Sequence, residues 1–457
     1  MNNKNLIFFM TDQQRADTVD MCINNVPVAP MRTKLSKDGA WFKTAYDACP
    51  LCVPARTALA TGKEPLRSGM FLNDLKGETA PKLPTLHKML YDAGYEVAHM
   101  GVNHITVCPP LKTSLPFAAW EDDDSYAEYA KNKGISIERT DADVTIVDEL
   151  CGGEYKKRPY SNANVTLWQY PTEDFKDVWF CDNALRFINA PHEKPFALFV
   201  CLWAPHPPLK VPEEYLNMFP PESFSLPHNT GKEADGQPQN RHKGAAMQLG
   251  QHPPKEGWQE AWSAHCALTR LCDDQLARIV DAVNASGIAD STLMVCTTDH
   301  GEQLGQHGMY QKMEMYESAV RVPCVFNVPN IAAKAYDTAI SHLDFVPTVL
   351  DLLDIPITTE LDGTSLAKSI ISGEEPAAKD IFSVYCGNHM PGDMRRMIVR
   401  GEYKYIFDGE EKELYNLKTD AFEMCNLAGK AEYDGICNTM HQALCKHFEN
   451  TYDTVKY

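Results

Sequence analysis

Cys52-Val53-Pro54-Ala55-Arg56, followed at once by Thr57-Ala58-Leu59-Ala60-Thr61-Gly62, joins one cysteine to a turn, an arginine and the start of a helix. Proline fixes φ near about −65° and arginine carries a charge that does not titrate, so a thiol placed here is a candidate nucleophile. The pentapeptide alone also fits a buried cysteine before a proline turn. Two residue pairs add to it. Asp12 and Gln13 follow the apolar run Leu6 to Met10, and Asp299 and His300 follow the run Thr292 to Thr298. Carboxylate and amide oxygens suit a hard divalent cation, and a parallel sheet can bring two such strand ends together. Taken singly, Asp12 is also a loop cap and Asp299 a turn former before Gly301.

The elements that must position these groups follow from the apolar pattern. Apolar runs at 6–10 and 196–203 predict buried strands, 95–101 and 292–298 also read as strands, and helical periodicity is present at 83–93, 261–285 and 344–353. Alternating strands and helices imply an α/β fold with a large, mostly parallel sheet flanked by helices. Composition changes near 356–378. Beyond it, Ile381 to Tyr385, Met397 to Arg400 and Tyr403 to Phe407, with Gly401-Glu402 as a turn, predict a small antiparallel sheet, and 441–452 a closing helix. The expected division is a catalytic domain over 1–360 and a C-terminal α+β subdomain over 375–457. At 457 residues the chain exceeds what one core usually holds. Residues from about 120 to 180, with Glu121-Asp122-Asp123-Asp124 and Lys156-Lys157-Arg158, read as a polar insertion with solvated charge runs.

A net charge of −19 argues against a polyanion-binding surface, so nucleic acid is an unexpected partner. No uninterrupted apolar stretch reaches the length of a membrane span. The 15 cysteines are odd in number and lack paired metal-type spacing, and the run after Met1-Asn2-Asn3-Lys4-Asn5 is too short for a signal-peptide core. Reduced thiols in a cytoplasm are the expectation. Oligomeric state is left open.

The Cys52 to Arg56 segment resembles the C-x-P-x-R signature of the type I sulfatases in the alkaline phosphatase superfamily. The run Thr298-Asp299-His300-Gly301-Glu302-Gln303-Leu304-Gly305-Gln306-His307-Gly308, with Lys312 beyond, is similar to that family's second long signature. Ala204-Pro205-His206-Pro207-Pro208 resembles the segment carrying its leaving-group histidine, and Gly101-Val102-Asn103-His104 its Gly-Lys-x-His pattern. Ser341 to Thr348 and Arg396 to Tyr405 also look like family sequence, so the resemblance runs from about residue 4 to 430.

The resemblance implies an alkaline-phosphatase-like fold and a formylglycine made from Cys52 by a maturation enzyme. It also implies a divalent metal, calcium first with magnesium or manganese as alternatives, bound by Asp12, Gln13, Cys52, Asp299 and His300. Arg56 and Lys312 would stabilise charge, His206 would protonate the leaving group, and His104 would assist sulfate release; His206, Lys312 and Asn73 would contact substrate. His307 reads as a structural hydrogen-bonder, and His389 and Arg395 as loop residues near the leaving group. The implied activity is hydrolysis of a small-molecule or glycan sulfate ester to an alcohol or phenol plus sulfate. Gln13, His300, Val102 and Asn73 depart toward the choline sulfatase and phosphonate monoester hydrolase branch, which makes phosphonate monoester or phosphodiester hydrolysis the alternative. A non-catalytic binding protein with unmodified Cys52 is the third reading, supported by the absence of a lysine at position 102.

Overall fold

The computed structural model of the protein describes residues 4–75 and 81–455; Met1, Asn2 and Asn3, read above as the start of the N-terminal run, lie outside the described residues. Eight strands form the main sheet: β1 (Asn5–Asp12), β2 (Ala40–Phe42), β3 (Glu96–Gly101), β4 (Ala119–Glu121), β5 (Phe196–Pro205), β6 (Thr292–Thr298), β7 (Val325–Asn327) and β8 (Lys334–Tyr336). Their order is β8-β2-β7-β6-β1-β5-β3-β4. From β6 to β4 the pairing is parallel, and β7 runs against both of its neighbours.

All of β1 is buried because both faces of the sheet are covered. Ile7 and Phe9 face one core with Met100, Val200 and Cys296; Leu6, Phe8 and Met10 face the other with Val97, Phe199 and Val295. This period-two division between two apolar layers is why the run has no polar residue until it ends. Phe9→Ala would cost about 3–5 kcal/mol by opening a cavity there.

Helix α1 (Cys52–Thr61) begins at the candidate nucleophile and stops at Gly62, whose φ of 65° is the left-handed cap that glycine adopts without strain. Helices α2 (Lys176–Ile188) and α3 (Trp258–Ala285) cover one face of the sheet, and α4 (Phe345–Leu352) the other. A second, antiparallel sheet follows: β9 (Ile381–Tyr385), β10 (Arg395–Arg400), β11 (Tyr403–Phe407) and β12 (Lys412–Asn416). Helix α5 (Asp434–Phe448) packs on it. One apolar cluster is continuous from the α2/α3 side of the main sheet into this second sheet. Among the described residues no helix is long and apolar enough to cross a membrane, and no cysteine is in a disulfide.

Three expectations change. The stretch from 120 to 180 is not simply a polar insertion: it buries Tyr126, Ala130, Val147, Tyr160 and Phe175 in the core, and α2, which begins at its end, buries Val178 there too. A capped helix (Asp123–Lys133) and a β-hairpin (Val144–Cys151 with Glu154–Ser161) precede it, and the lysines of the hairpin are exposed. The closing helix starts earlier than 441, because Cys437 and Met440 begin its buried stripe. Strand β12 was not anticipated; it is only five residues long and its three central residues are all buried, so it carries no alternating pattern.

Candidate active site

The register of the parallel strands assembles the site. Thr11 pairs with Thr298 and Asp12 with Pro205, so Asp12 stands between Asp299 on one side and the Pro205-His206 end of β5 on the other. On the next strand Gly101 pairs with Cys201. A Cβ at Gly101, whose φ is 126°, would lie 1.9 Å from the Cys201 carbonyl oxygen, so only glycine allows the chain to turn there and present Asn103 and His104.

Arg56, one turn into α1, joins the two carboxylates. Its Nη2 donates to Asp12 Oδ2 and its Nε to Asp299 Oδ2, both at 2.7 Å, while Nη1 donates to the Val102 carbonyl at 3.1 Å. All three charged side chains are fully buried. Asp12 is raised above the usual carboxylate range, by burial first and then by the charge of Asp299. Asp299 is held below that range: burial pushes it up, but His300, Arg56 and the Gln13 N–H outweigh it. Two buried carboxylates therefore share one guanidinium, an arrangement that a further cation would relieve.

Cys52 Sγ lies 3.2 Å from His300 Nε2 and 3.8 Å from Asp12 Oδ1. One donor atom from each of Asp12, Cys52, Asp299 and His300 lies within 4.8 Å of the others. His300 Nδ1 is 3.1 Å from the Gly301 carbonyl, and burial holds the imidazole at about 3, so the ring is neutral with its proton on Nδ1 and its Nε2 lone pair facing the cluster. Two carboxylates and a neutral imidazole form a donor set that fits a divalent cation. Gln13, at a φ of 64°, donates its backbone N–H to Asp299 Oδ1, and its side-chain oxygen accepts from Lys312 at 2.5 Å. Its amide nitrogen is anchored on Glu302. Burial pushes the Cys52 thiol up to about 12, with Asp12 adding to it, so almost no thiolate is present at neutral pH.

Opposite the carboxylates, Lys312 Nζ is 2.8 Å from His206 Nε2, and His206 Nδ1 is 2.5 Å from the Pro207 carbonyl. These contacts put the imidazole proton on Nδ1 and leave Nε2 as the acceptor. Burial, and then Lys312, hold His206 well below its ordinary value. Trp203 separates the two candidate histidines, with ring centroids 4.2 Å from His206 and 6.1 Å from His104. Burial, then Arg56, lowers His104 to about 3, which keeps it a neutral base. Cys52, His104, His206, Lys312 and Asn73 line one cavity of about 440 Å³.

Asn73 lines that cavity with both ends of its amide engaged. Its oxygen accepts from Val53 N–H at 3.1 Å and its nitrogen donates to Asn388 at 2.7 Å, so it braces the turn that carries Cys52. Asn388 in turn donates to Tyr160, which donates to Glu149. His389 reaches the cavity. Arg395 does not: it is buried, 2.6 Å from Glu314, in a network with Arg241 and Glu413. Its position before a C-terminal strand suggested the site, but an unpaired charge at that depth could not be held, so a carboxylate claims it. His307 stacks face to face on Tyr316 at 3.9 Å, and it also hydrogen-bonds the Phe422 backbone.

Trp203, Gln311, Tyr160, Asn388 and Arg139 also line the cavity and were not anticipated. Trp203 and Gln311 had a usable signal, being close in sequence to His206 and Lys312. Tyr160 and Arg139 had none, since only the folded hairpin region brings them here.

A family model described as Sulfatase matches residues 4–355, and one described as N-sulphoglucosamine sulphohydrolase, C-terminal, matches residues 305–450. The chain is 25% identical to an arylsulfatase of Clostridium perfringens, over 97% of this chain and 94% of that protein. Its fold is similar to a structure solved in complex with its substrate D-glucosamine-2-N,6-O-disulfate, with a TM-score of 0.75, 21% identity and 98% coverage of both chains. It is equally similar to the phosphonate monoester hydrolase of Agrobacterium radiobacter, with a TM-score of 0.76, 19% identity and coverage of 97% and 95%.

Proposed function

The chain belongs to the sulfatase family, and from that membership we propose that it hydrolyses a sulfate monoester to an alcohol or phenol plus inorganic sulfate. The observation that carries this reading is the convergence, in one cavity, of residue 52 with a buried carboxylate–imidazole cluster on one side and the Lys312–His206 pair on the other.

Residue 52 opens α1 beside the carboxylate–imidazole cluster and lines the cavity, which is the place of the nucleophile in this reading. As formylglycine, made from Cys52 by a maturation enzyme, it would supply one diol hydroxyl to attack sulfur and a second to expel sulfate as the aldehyde reforms. A divalent cation, calcium in this reading with magnesium or manganese as alternatives, would be held by Asp12, Asp299 and His300 together with Gln13 and residue 52, and would offset the charge of the ester oxygens.

The remaining work falls to side chains of this chain. Arg56 holds both carboxylates in place and keeps a positive charge beneath residue 52. Lys312 meets the ester oxygens, and in doing so releases His206 Nε2 from its contact. The negative ester beside it favours the protonated imidazole, which then donates from Nε2 to the departing oxygen. His104, neutral across the physiological range, takes the second proton from residue 52.

The test is mass spectrometry of the Cys52 peptide from protein made in its own host, paired with sulfate release from an aryl sulfate. Formylglycine with turnover supports the proposal; turnover that persists in Cys52→Ala overturns it. The second reading, phosphonate monoester hydrolysis, is favoured by Gln13 and His300 at the cluster and by the fold similarity reported above. It predicts a higher kcat/KM for phenyl phosphonate monoesters than for the matching aryl sulfates.

A further inference from the structure

A second cavity, of about 230 Å³, adjoins the first and shares Arg139, Trp203 and His206 with it. Aromatic rings form much of its wall: Tyr126, Trp168, Phe175 and Trp203. Three cations reach it, in different states. Lys176 lies 4.9 Å over the Trp203 ring and is paired with Asp123. Lys210 donates to the Glu138 carbonyl at 2.9 Å and lies 3.5 Å from Asp143. Arg139 makes a long contact of 3.4 Å to Ser161 Oγ, and no carboxylate among the described residues lies within 4 Å of it. The buried Arg56, Arg241 and Arg395 are all paired with carboxylates, whereas Arg139 is an exposed guanidinium at the junction of two cavities, open to an anionic ligand.

The geometry of the proposed reaction gives this cavity an occupant. Sulfur must lie over residue 52 while the departing oxygen lies within reach of His206, so the body of the leaving group extends past His206, away from Cys52. That is where the second cavity begins. Its volume, below the usual range for drug-sized ligands, suits one ring rather than a long chain, and the ring would stack on Trp203 and Trp168.

We infer that this cavity receives the leaving group, and that Arg139 selects a ring bearing a second anionic group, a carboxylate or another sulfate. A guanidinium fork matches either anion in a two-pronged contact. The inference rests on the sulfatase reading and narrows its substrate class. Arg139 is a specificity residue that does not touch the reacting bond, so its effect falls mainly on KM.

The experiment compares 3- and 4-carboxyphenyl sulfate with their neutral carbamoylphenyl counterparts, in the unmutated enzyme, Arg139→Ala and Arg139→Lys. The expected result is a tenfold or greater preference for at least one carboxylate, lying in KM. Arg139→Ala should lose that preference and Arg139→Lys retain part of it. No preference in the unmutated enzyme overturns the inference. So does an equal loss on charged and neutral esters in Arg139→Ala, which would assign the guanidinium to the reacting sulfate in place of the lysine absent at position 102.

If no ester is hydrolysed, the sulfatase reading fails separately. Calorimetric titration of 3- and 4-hydroxybenzoate against the hydroxybenzamides then reads the cavity directly. Tighter binding of a hydroxybenzoate that disappears in Arg139→Ala upholds the inference, and equal binding of acid and amide overturns it.

Discussion

The two sides of the active cavity are built in different ways. Below residue 52, Asp12, Asp299, His300 and Arg56 are fully buried, lie at the ends of central strands or on α1, and satisfy one another at distances near 3 Å. Across from them, the wall beyond His206 mixes residues of β5 and of flanking helices with the 136–139 loop, and combines buried rings (Tyr126, Phe175), half-buried ones (Trp168, Trp203) and an exposed arginine. The first side tolerates no change of charge or volume; on the second, the exposed loop residues Ser136, Ile137 and Arg139 can vary without disturbing the sheet. Chemistry common to the family would sit in the rigid half, and substrate choice in the adaptable one.

Breaking the rigid half should produce the largest effects. Cys52→Ala should abolish turnover, by about 10⁴-fold or more, while shifting the melting temperature little, because the side chain removed is small. Sulfate release and thermal denaturation measured together check both halves of that statement.

Arg56→Ala should also inactivate the enzyme, but with a stability loss of about 3–5 kcal/mol, since it leaves two buried carboxylates without their cation. Urea denaturation reads the difference. Partial restoration of stability by added calcium would sharpen the case for a cation at the cluster.

On the adaptable side, His206→Ala should lower kcat by about 10²–10³-fold for an alkyl sulfate and far less for 4-nitrophenyl sulfate, whose phenolate leaves without a proton. Equal losses on both substrates would remove His206 from the acid role.

The smallest effect concerns the core that supports both halves. Burial lowers His99, on β3, to about 4, against an unfolded value of 6.5. A depressed histidine means that the unfolded chain binds more protons below pH 6.5, so stability is complete above that value and falls as pH drops toward 4. At pH 5 the loss from this residue is about 2 kcal/mol. Burial lowers His265 and His342 to about 3, and they add in the same direction. Denaturation midpoints between pH 7 and 5 test this, and the slope should shrink in His99→Phe.

Legibility from sequence divides along the same line. Asp12, Asp299 and His206 could be picked out because each ends a long apolar run, and a polar residue at that point has few other reasons to be there. Cys52, Arg56 and Lys312 could be picked out because they stand in motifs. Trp203 was visible only as the tail of a strand, and its place between two histidines needed the turn after β5. Asn73 was read as a substrate contact; it does line the cavity, but that its amide also braces the Cys52 turn needed the folded contacts to Val53 and Asn388. Arg395 was assigned by proximity in sequence to a loop, and the buried Glu314 shows why proximity failed.

The sequence alone therefore determined the layered α/β architecture and the identity of the groups at the strand ends, since apolar runs and local motifs are properties of neighbouring residues. Tertiary structure decided the rest. Parallel register, a relation between residues nearly 290 positions apart, set Asp12 beside Asp299. Folding of a region that reads as merely polar brought Arg139 and Tyr160 to the cavity. Which charges find partners and which are left for a substrate depends on three-dimensional distance, and periodicity along the chain does not encode it.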